Sequence, residues 1–285
     1  SMSQMGLEAA TSLTKTDNLY DLVLLLPSKN KQQTLGWMAA AMCLLCDGGT
    51  LIMACANIYG AKSYESSLQQ LAGNIISRSK SKCRIFSSRK SNALDPALQK
   101  QWSDAALPKP VASHALVAQP GLFSWDHADT GSQLLMDHLP DNLAGNGMDL
   151  CCGYGLLSEY LLRTSAAITT LHLLEADALA LGCATQNTDS WQQKVQAHWC
   201  DATSDELPAK LDWIVCNPPF HRGQTRDVEL GQRIIRHACR ALKRRGALYV
   251  VANRKLPYEA LLQSELSHCQ TIIEANGFKI IKGVR

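Results

Sequence analysis

The sequence predicts two α/β domains, a larger one in the second half of the chain and a smaller one before it. In the second half, strand-like apolar stretches alternate with stretches that have helical spacing. The strand patterns cover residues 147–150, 169–174, 194–199, 211–216 and 247–252, and the helical patterns cover 156–163, 177–188 and 228–243. Strands that alternate with helices in this way form a parallel sheet with helices on both faces.

The end of the chain predicts a change of strand direction. Two further strand patterns, residues 271–274 and 278–284, lie on either side of Asn276-Gly277. Asn-Gly is a residue pair that tight hairpin turns favour, so these two strands should run antiparallel. The complete prediction for the second half is a seven-stranded, mostly parallel sheet with an antiparallel terminal strand.

The first half of the chain repeats part of this pattern. Residues 20–27 align with 211–218, and residues 49–57 align with the segment that begins at Gly246. Each copy has a strand, a Pro-containing exit, a long helix and a second strand. We interpret this as a partial internal duplication, although any two strand–helix–strand units share that order. The first copy has Leu26 where the second has Asn217.

The net charge, the spacing of the cysteines and the positions of Gly, Pro and Ser indicate the class of protein. The net charge of +3 permits a polyanionic partner without requiring one. The eleven cysteines lack the spacing of a disulfide framework, and Cys43-Leu-Leu-Cys46 has no second pair with which to bind zinc. We therefore predict no metal site and a cytoplasmic protein with reduced thiols. Asp47-Gly48-Gly49 interrupts the apolar run 35–55, which argues against a membrane span. Residues 87–110 are rich in Ser, Pro and Lys, and we predict that they form a linker.

The motif Asn217-Pro218-Pro219-Phe220 directly follows a predicted buried strand. An amino group on a nucleic-acid base is a poor nucleophile because its lone pair is delocalised into the ring. Hydrogen bonds from its N–H groups to the Asn217 side-chain oxygen and the Pro218 carbonyl would turn that lone pair toward a methyl donor. The two prolines would hold these acceptors in place, and Phe220 offers a flat face on which an extruded base stacks. The alternative is an Asn-Pro turn followed by a core phenylalanine.

A second motif predicts a nucleotide-binding site. Asp149 lies at the end of a predicted strand that leads into Cys151-Cys152-Gly153-Tyr154-Gly155, where small residues let the backbone approach a ligand at a helix N-terminus. Glu175 ends the next strand, where a carboxylate can accept both hydroxyls of a ribose. Asp201 and Ala202 follow the third strand, where Asp201 is placed to meet an adenine amino group. Each acid alone is more typical of a solvated strand end, and it is their order along the chain that indicates a site.

Several longer motifs accompany these residues. They are Gly121-Leu122-Phe123-Ser124, Asp129-Thr130-Gly131-Ser132-Gln133-Leu134-Leu135, Asn217-Pro218-Pro219-Phe220-His221, Val251-Ala252-Asn253 and Leu256-Pro257-Tyr258. On these motifs, residues 120–285 resemble the catalytic domain of the ribosomal RNA small-subunit methyltransferase C family. Residues 20–102 resemble more loosely the later part of that family's N-terminal domain, including Pro27-Ser28-Lys29-Asn30-Lys31.

The resemblance implies a class I, Rossmann-like methyltransferase domain that transfers a methyl group from S-adenosylmethionine (SAM) to the N2 amine of guanine in ribosomal RNA. It also implies that the N-terminal domain is a degenerate methyltransferase copy that helps to hold RNA. The chain departs from the family pattern in two places. Cys151 stands where the family's cofactor loop begins with glycine, and we expect the N-terminal domain to lack its first half.

Basic and aromatic residues predict where RNA would bind. Arg222 and Arg226 lie closest to the proposed target base, and we assign Phe123 and His221 to the substrate side as well. Two other basic runs are Arg233, Arg236, Arg240 and Lys243 on the predicted helix, and Arg78, Lys80, Lys82, Arg84, Arg89 and Lys90 in the first half. The alternative for each run is a solvated surface.

The sequence therefore predicts a small, degenerate methyltransferase-like domain over residues 1–105 and a catalytic domain over 111–285. We expect a monomer that acts on ribosomal RNA or a ribosomal subunit without a membrane. Two other functions remain open. The same acceptor geometry would serve adenine N6 or a protein glutamine amide, and a non-catalytic RNA-binding or assembly protein would retain the same fold.

Overall fold

The structure, a computed structural model, describes residues 20–112, 114–219 and 225–285, without the side chains of 225–227. The chain divides into two compact units. Unit 1 comprises Ser1–Lys109 and Gln119–Gly121, and unit 2 comprises Pro110–Ala118 and Leu122–Arg285. Across the described residues, no helix combines the length and the apolar character that crossing a membrane requires.

Unit 1 is a four-stranded sheet with its strands in the order β1-β2-β4-β3. The elements are β1 (Tyr20–Leu25), α1 (Lys31–Leu44), β2 (Leu45–Ala56), a 3-10 turn (Asn57–Tyr59), α2 (Ala61–Ala72), β3 (Ile76–Lys80), β4 (Cys83–Arg89) and α3 (Pro96–Ala105). β1 and β2 are parallel, whereas β4 is antiparallel to both of its neighbours. Asn30 begins α1 by accepting a hydrogen bond from the backbone N–H of Gln33 at 2.9 Å, which satisfies a donor that the helix leaves unpaired.

The prediction of a linker at residues 87–110 is wrong, because this segment contains the end of β4 and the whole of α3. Asp95 caps α3 by accepting hydrogen bonds from the backbone N–H groups of Ala97 and Leu98, and Pro96 occupies the first helical position, where proline is favoured. Trp102 of α3 is buried in the core of unit 1. Of the residues that suggested a linker, Pro96 is therefore a helix-start signal, whereas Ser87 and Ser88 belong to β4.

Two short strands, β5 (Lys109–Pro110) and β6 (Val117–Ala118), follow α3, and then the chain enters the main elements of unit 2. Its strands are β7 (Gly145–Leu150), β8 (Ile168–Glu175), β9 (Val195–Trp199), β10 (Leu211–Cys216), β11 (Leu242–Asn253), β12 (His268–Ala275) and β13 (Phe278–Val284). They form one sheet in the order β9-β8-β7-β10-β11-β13-β12. β7 to β11 are parallel, and β13 is antiparallel to β11 and β12. The predicted class I methyltransferase fold and its antiparallel terminal strand are confirmed.

Helices cover both faces of this sheet. They are α4 (Thr130–Met136), α5 (Leu156–Thr164), α6 (Ala178–Asn187), α7 (Thr225–Ala241) and α8 (Tyr258–Glu265), with a 3-10 turn at Asp189–Trp191. One apolar core joins the sheet to α4, α5 and α6, and the other joins it to α7 and α8. Side chains of successive strand residues point to opposite faces, so Met148 and Leu150 pack toward α7 while the intervening Asp149 faces α5.

The two units share the same irregular strand pair. In both, the parallel register advances by two residues on the first strand and by five on the second, so that three extra residues bulge at the same place. The pairs on either side of the bulge are Tyr20 with Leu45 and Leu22 with Thr50 in unit 1, and Leu211 with Leu242 and Trp213 with Ala247 in unit 2. This correspondence supports the predicted internal duplication.

The glycine after the bulge is required at both positions by close backbone contact. A Cβ atom on Gly49 would lie 2.9 Å from the carbonyl oxygen of Tyr20, and one on Gly246 would lie 2.8 Å from that of Leu211. Cβ atoms do not approach backbone this closely without a shift of one or the other. The shared bulge is thus tied to a shared requirement for glycine.

Candidate functional site

A cavity of about 380 Å3 opens where β7, β8, β9 and β10 end. The sheet order reverses between β7 and β10, and such a switch point leaves a crevice in which parallel sheets bind ligands. Nine residues that the sequence predicted for the site line this cavity. They are Phe123, Cys151, Gly153, Glu175, Asp201, Ala202, Asn217, Pro218 and Pro219, all in unit 2.

Glu175 ends β8 and is half-buried in the cavity wall. Its Oε2 accepts a hydrogen bond from the backbone N–H of Gly153 at 2.9 Å, and its Oε1 accepts from those of Ala176 and Asp177 at 2.9 and 3.0 Å. These three bonds fix the carboxylate and tie it to the glycine-containing loop. A carboxylate has about four lone-pair sites, so these three bonds leave one site, on Oε2, for a ribose hydroxyl, where the sequence predicts that the carboxylate accepts both.

Asp201 lies beyond the end of β9, exposed at the cavity. Its Oδ1 accepts hydrogen bonds from the hydroxyl and the backbone N–H of Thr203, at 2.7 and 2.8 Å. These bonds hold the pKa of the Asp201 carboxyl below its ordinary value. The group is therefore a carboxylate, and its other oxygen can accept an N–H from a ligand.

The glycine loop, residues 151–155, joins β7 to α5. Cys151 has a φ of 63°, in the left-handed region that costs a residue with a side chain about 1–2 kcal/mol. At Gly153 an added Cβ would meet no heavy atom within 4 Å, consistent with a position beside open space. Gly155 has a different role, since a Cβ there would lie 2.9 Å from the Cα of Ala184 in α6. Gly155 therefore allows α5 and α6 to approach each other closely. It lies outside the cavity lining.

Asp149 lies behind the loop and not in the cavity wall. It is fully buried, and its Oδ2 accepts a hydrogen bond from the Ser158 hydroxyl at 2.5 Å. Burial raises the pKa of Asp149 to about 7. Its Oδ1 has no hydrogen-bond partner among the described residues. Asp149 thus supports the start of α5 from beneath and does not line the cavity, so its predicted contact with a cofactor stays a prediction.

Asn217 follows β10 and is half-buried in the cavity wall. In the sheet, β10 lies on the other side of β7 from β8, the strand that Glu175 ends. Its Nδ2 donates hydrogen bonds to Asp129 Oδ2 at 3.0 Å and to Ser132 Oγ at 2.9 Å. Both amide hydrogens are therefore used by the protein, and Oδ1 is left as an acceptor. Pro218, which is buried, and Pro219, which is exposed, continue the cavity wall.

The substrate side of the site is described only in part. Phe123 lines the cavity with 69% of its surface exposed, so its ring is accessible to a base. Phe220, His221 and Arg222 lie outside the described residues, and so does the side chain of Arg226. Their predicted roles stay predictions.

Comparison with known proteins places the chain in a family. A family model described as the methyltransferase small domain matches residues 113–282. The ribosomal RNA small subunit methyltransferase C of Psychromonas ingrahamii is 31% identical over 265 residues, which cover 92% of this chain and 75% of that relative. The chain belongs to the ribosomal RNA small subunit methyltransferase C family.

Two further comparisons extend along the whole chain. The small subunit methyltransferase C of an Escherichia coli strain is 30% identical over 285 residues, covering 99% of this chain and 81% of that relative. A solved T. thermophilus 16S rRNA N2 methyltransferase, in complex with AdoMet and guanosine, aligns with a TM-score of 0.81 and 25% identity. That alignment covers 100% of this chain and 78% of the solved one.

In this methyltransferase, sequence reasoning missed two groups of site residues. The first completes the cavity lining and consists of Leu174, Ala176, Cys200, Thr203, Leu230 and Ile234. Leu230 and Ile234 lie four residues apart on α7, and that spacing on an amphipathic helix was the available signal. The second group, Asp129 and Ser132, contacts Asn217. The pattern Asp-x-x-Ser indicates a helix start, but nothing in it indicates contact with a residue 88 positions later.

Across the part of the chain that is described, no group of three or more His, Cys, Asp or Glu side chains is arranged to hold a metal ion.

Proposed function

We propose that this chain transfers a methyl group from SAM to the N2 amine of a guanine in small-subunit ribosomal RNA. The observation that carries the proposal is the Asn217 amide, which presents its oxygen as an acceptor beside a cavity that also contains Glu175 and Asp201. The family relatives are named for small-subunit ribosomal RNA methylation, and the solved relative is in complex with AdoMet and guanosine.

The cavity residues fit SAM. Glu175 Oε2 would accept a ribose hydroxyl and Asp201 Oδ2 would accept the adenine amine, since both carboxylates are fixed by other hydrogen bonds. Leu174 and Ile234 supply apolar surface for the adenine ring. The loop at Cys151 and Gly153 would contact the methionine part. When bound, SAM supplies an electrophilic methyl group on a sulfonium centre.

The acceptor side of the site holds and orients the guanine amine. Asn217 Oδ1 would accept one N–H of the N2 amine and the Pro218 carbonyl would accept the other. With both hydrogens held, the nitrogen becomes more pyramidal, so its lone pair is less delocalised into the ring and faces the methyl donor. Positioning of this kind lowers the barrier without a dedicated base, and the extra proton passes to water after transfer.

RNA would approach from the side of the cavity that carries Phe123. We assign Phe220, His221, Arg222 and Arg226 to this side as well, where an aromatic ring can stack on the extruded base and arginines can contact phosphates. We propose that residues 1–105 are a degenerate methyltransferase copy that adds RNA-binding surface, since Arg78, Lys80 and Lys82 are exposed there. The chain would act as a cytoplasmic monomer.

The test is transfer of labelled methyl from SAM to small subunits, large subunits and naked ribosomal RNA that lack the modification, followed by nucleoside analysis. We expect label in N2-methylguanosine from the small subunit. The matched control is Asn217→Ala, which should bind SAM in calorimetry and transfer label about 100- to 1,000-fold more slowly than the wild type.

Other outcomes replace the proposal with a defined alternative. Label in N6-methyladenosine or in a protein glutamine would change the substrate while keeping the reaction. Absence of both label and SAM binding would mean that the chain keeps the fold as a non-catalytic RNA-binding protein.

A further inference from the structure

The proposed reaction depends on which end of the Asn217 amide faces the substrate. The two ends have opposite hydrogen-bonding character, because the oxygen accepts and the NH2 group donates. An amide turned by 180° would present N–H groups to the guanine amine, and two donors cannot form a hydrogen bond. Some feature of the protein must therefore fix the amide orientation.

Asp129 and Ser132 supply that feature. Asp129 Oδ2 lies 3.0 Å from Asn217 Nδ2, and Ser132 Oγ lies 2.9 Å from the same nitrogen. An ionised carboxylate only accepts hydrogen bonds, so the amide atom beside it has to be the nitrogen. The Asp129 carboxylate, which also accepts the backbone N–H of Ser132, therefore determines which end of the amide faces it.

The local structure holds Asp129 in the position that this contact requires. Asp129 is the residue before α4, and its Oδ2 also accepts the backbone N–H of Ser132 at 2.8 Å. The same oxygen therefore caps the helix and anchors Asn217. Gly131 leaves room for it, because a Cβ there would lie 3.1 Å from Asp129 Oδ2 and 3.1 Å from Phe278 Cε1. Ser132 itself is buried.

We propose that Asp129 and Ser132 are positioning residues that lock the Asn217 side chain with its oxygen toward the cavity and so make the site selective for an acceptor that donates an N–H. This inference rests on the proposed function for its consequence, because the selectivity matters only if an amine is methylated. The orientation itself is a property of the protein and can be measured without any substrate.

The variant that separates positioning from folding is Asp129→Ser. Serine caps helices about as well as aspartate, so α4 keeps its start. Its shorter side chain should satisfy the Ser132 N–H without reaching Asn217. The matched control is Asp95→Ser, which changes the same kind of cap at α3 in unit 1, where Asp95 accepts from Ala97 and Leu98.

The first measurement is NMR of the Asn217 side-chain NH2 group in 15N-labelled protein without substrate, with the signal assigned by its loss in Asn217→Ala. We expect protection of these hydrogens from exchange with water in the wild type and in Asp95→Ser, and loss of protection in Asp129→Ser. An unprotected NH2 group in the wild type would overturn the inference, whatever reaction the protein performs.

The second measurement is a double-mutant cycle on kcat for methyl transfer. Asp129→Ser should lower kcat on the order of 100-fold, the size expected when a reacting group is misplaced by about 1 Å, with SAM affinity unchanged. In the Asn217→Ala background the same substitution should change kcat by less than about twofold, because its effect passes through Asn217. Equal losses in both backgrounds would assign Asp129 a merely structural role. If the wild type transfers no methyl group at all, the proposed function fails while the NMR result still decides the orientation.

Discussion

Unit 1 and the second half of unit 2 have the same strand framework and differ in what lies beside it. The order β1-β2-β4-β3 matches β10-β11-β13-β12, including the direction of every strand and the position of the bulge. In unit 2, β10 has β7 as a neighbour on its other side, whereas among the described residues β1 pairs only with β2. The glycine loop, Glu175 and Asp201 belong to the half of unit 2 that lies beyond this shared framework.

The agreement between the two frameworks extends to individual backbone contacts. In unit 1, Gly48 donates to the Lys90 carbonyl, and Lys90 donates back to the carbonyl of the next glycine. Unit 2 has the equivalent pair of bonds. Arg245 donates to the Arg285 carbonyl, and Arg285 donates to the Gly246 carbonyl. The Lys90 ammonium and the Arg285 guanidinium also donate to the carbonyls of Leu45 and Leu242, just after the helix in each unit. A cation there is favoured by the helix dipole, so both copies retain what the strand pair needs for stability.

The two regions differ in the residues that follow their strands, and it is there that the proposed catalytic residue lies. The exit of β10 carries Asn217, held by Asp129 and Ser132, while the corresponding exit of β1 carries Leu26, which is 73% exposed. Nothing in the geometry of the strand pair requires an asparagine at either exit. Three pairs of substitutions test this separation between framework and function.

The largest effect is expected for exchange of the two exit residues. Asn217→Leu gives unit 2 the side chain of unit 1, and it should lower methyl transfer by about 100- to 1,000-fold, as loss of a preorganised polar contact in a transition state does. SAM affinity should persist because Glu175 and Asp201 are unchanged. The reciprocal Leu26→Asn should leave activity at the wild-type level. Single-turnover kinetics and calorimetry measure both quantities, and an active Asn217→Leu enzyme would contradict the proposed role.

The second-largest effect is expected on the stability of the shared strand framework. Gly49→Ala and Gly246→Ala each place a Cβ against a strand carbonyl, so each should lower the free energy of unfolding by about 1–3 kcal/mol. Hydrogen exchange should locate the loss of protection in unit 1 for the first and in unit 2 for the second. Gly182→Ala is the control, because a Cβ there meets no atom within 4 Å and α6 gains a better helix former. Equal protection in both glycine variants and the wild type would show that the close contacts relax without cost.

The smallest effect is expected from two of the non-glycine residues with left-handed backbone. Cys151 and Arg245 have φ values of 63° and 67°, and the counterpart of Arg245 in unit 1 is Gly48. Glycine at either site relieves about 1–2 kcal/mol of strain and loses about 0.5–1 kcal/mol of backbone entropy. Cys151→Gly and Arg245→Gly should therefore both raise thermal stability slightly. Only Cys151→Gly should also raise SAM affinity, since Cys151 lines the cavity, and equal affinity changes in both variants would refute that assignment.

Much of the fold of unit 2 could be predicted from the sequence because its central strands, β7, β8, β10 and β11, are mostly buried. β10 was predicted with the bounds that it has, and the Asn276-Gly277 turn gave the antiparallel end of the sheet. The segment 87–110 could not be predicted by the same reasoning. Its composition is that of a loop, and only the Asp95-Pro96 start and the burial of Trp102 by other helices of unit 1 reveal α3.

The candidate site was predictable where function depends on residues next to strand ends. Glu175, Asp201 and Asn217 each follow a strand, so their convergence follows from the parallel sheet. Asp149 and Gly155 were assigned to the cofactor by proximity in the chain, but they face α5 and α6. Asp129 and Ser132 could not be found in this way, because a contact between a helix start and a distant strand end exists only in the folded chain.

The cavity also has a consequence for how unit 2 holds together. Glu175 and Asp201 belong to the β7–β9 half of the sheet, whereas Asn217 and Ile234 belong to the β10–β13 half, and the two halves meet along β7 and β10. A ligand that contacts both halves binds only the joined sheet, so it stabilises the junction by about 2.7 kcal/mol at a concentration 100 times its dissociation constant. For a newly synthesised chain, the methyl donor would then be a folding ligand before it is a reactant. Starvation for that donor would reduce the amount of intact enzyme as well as its turnover.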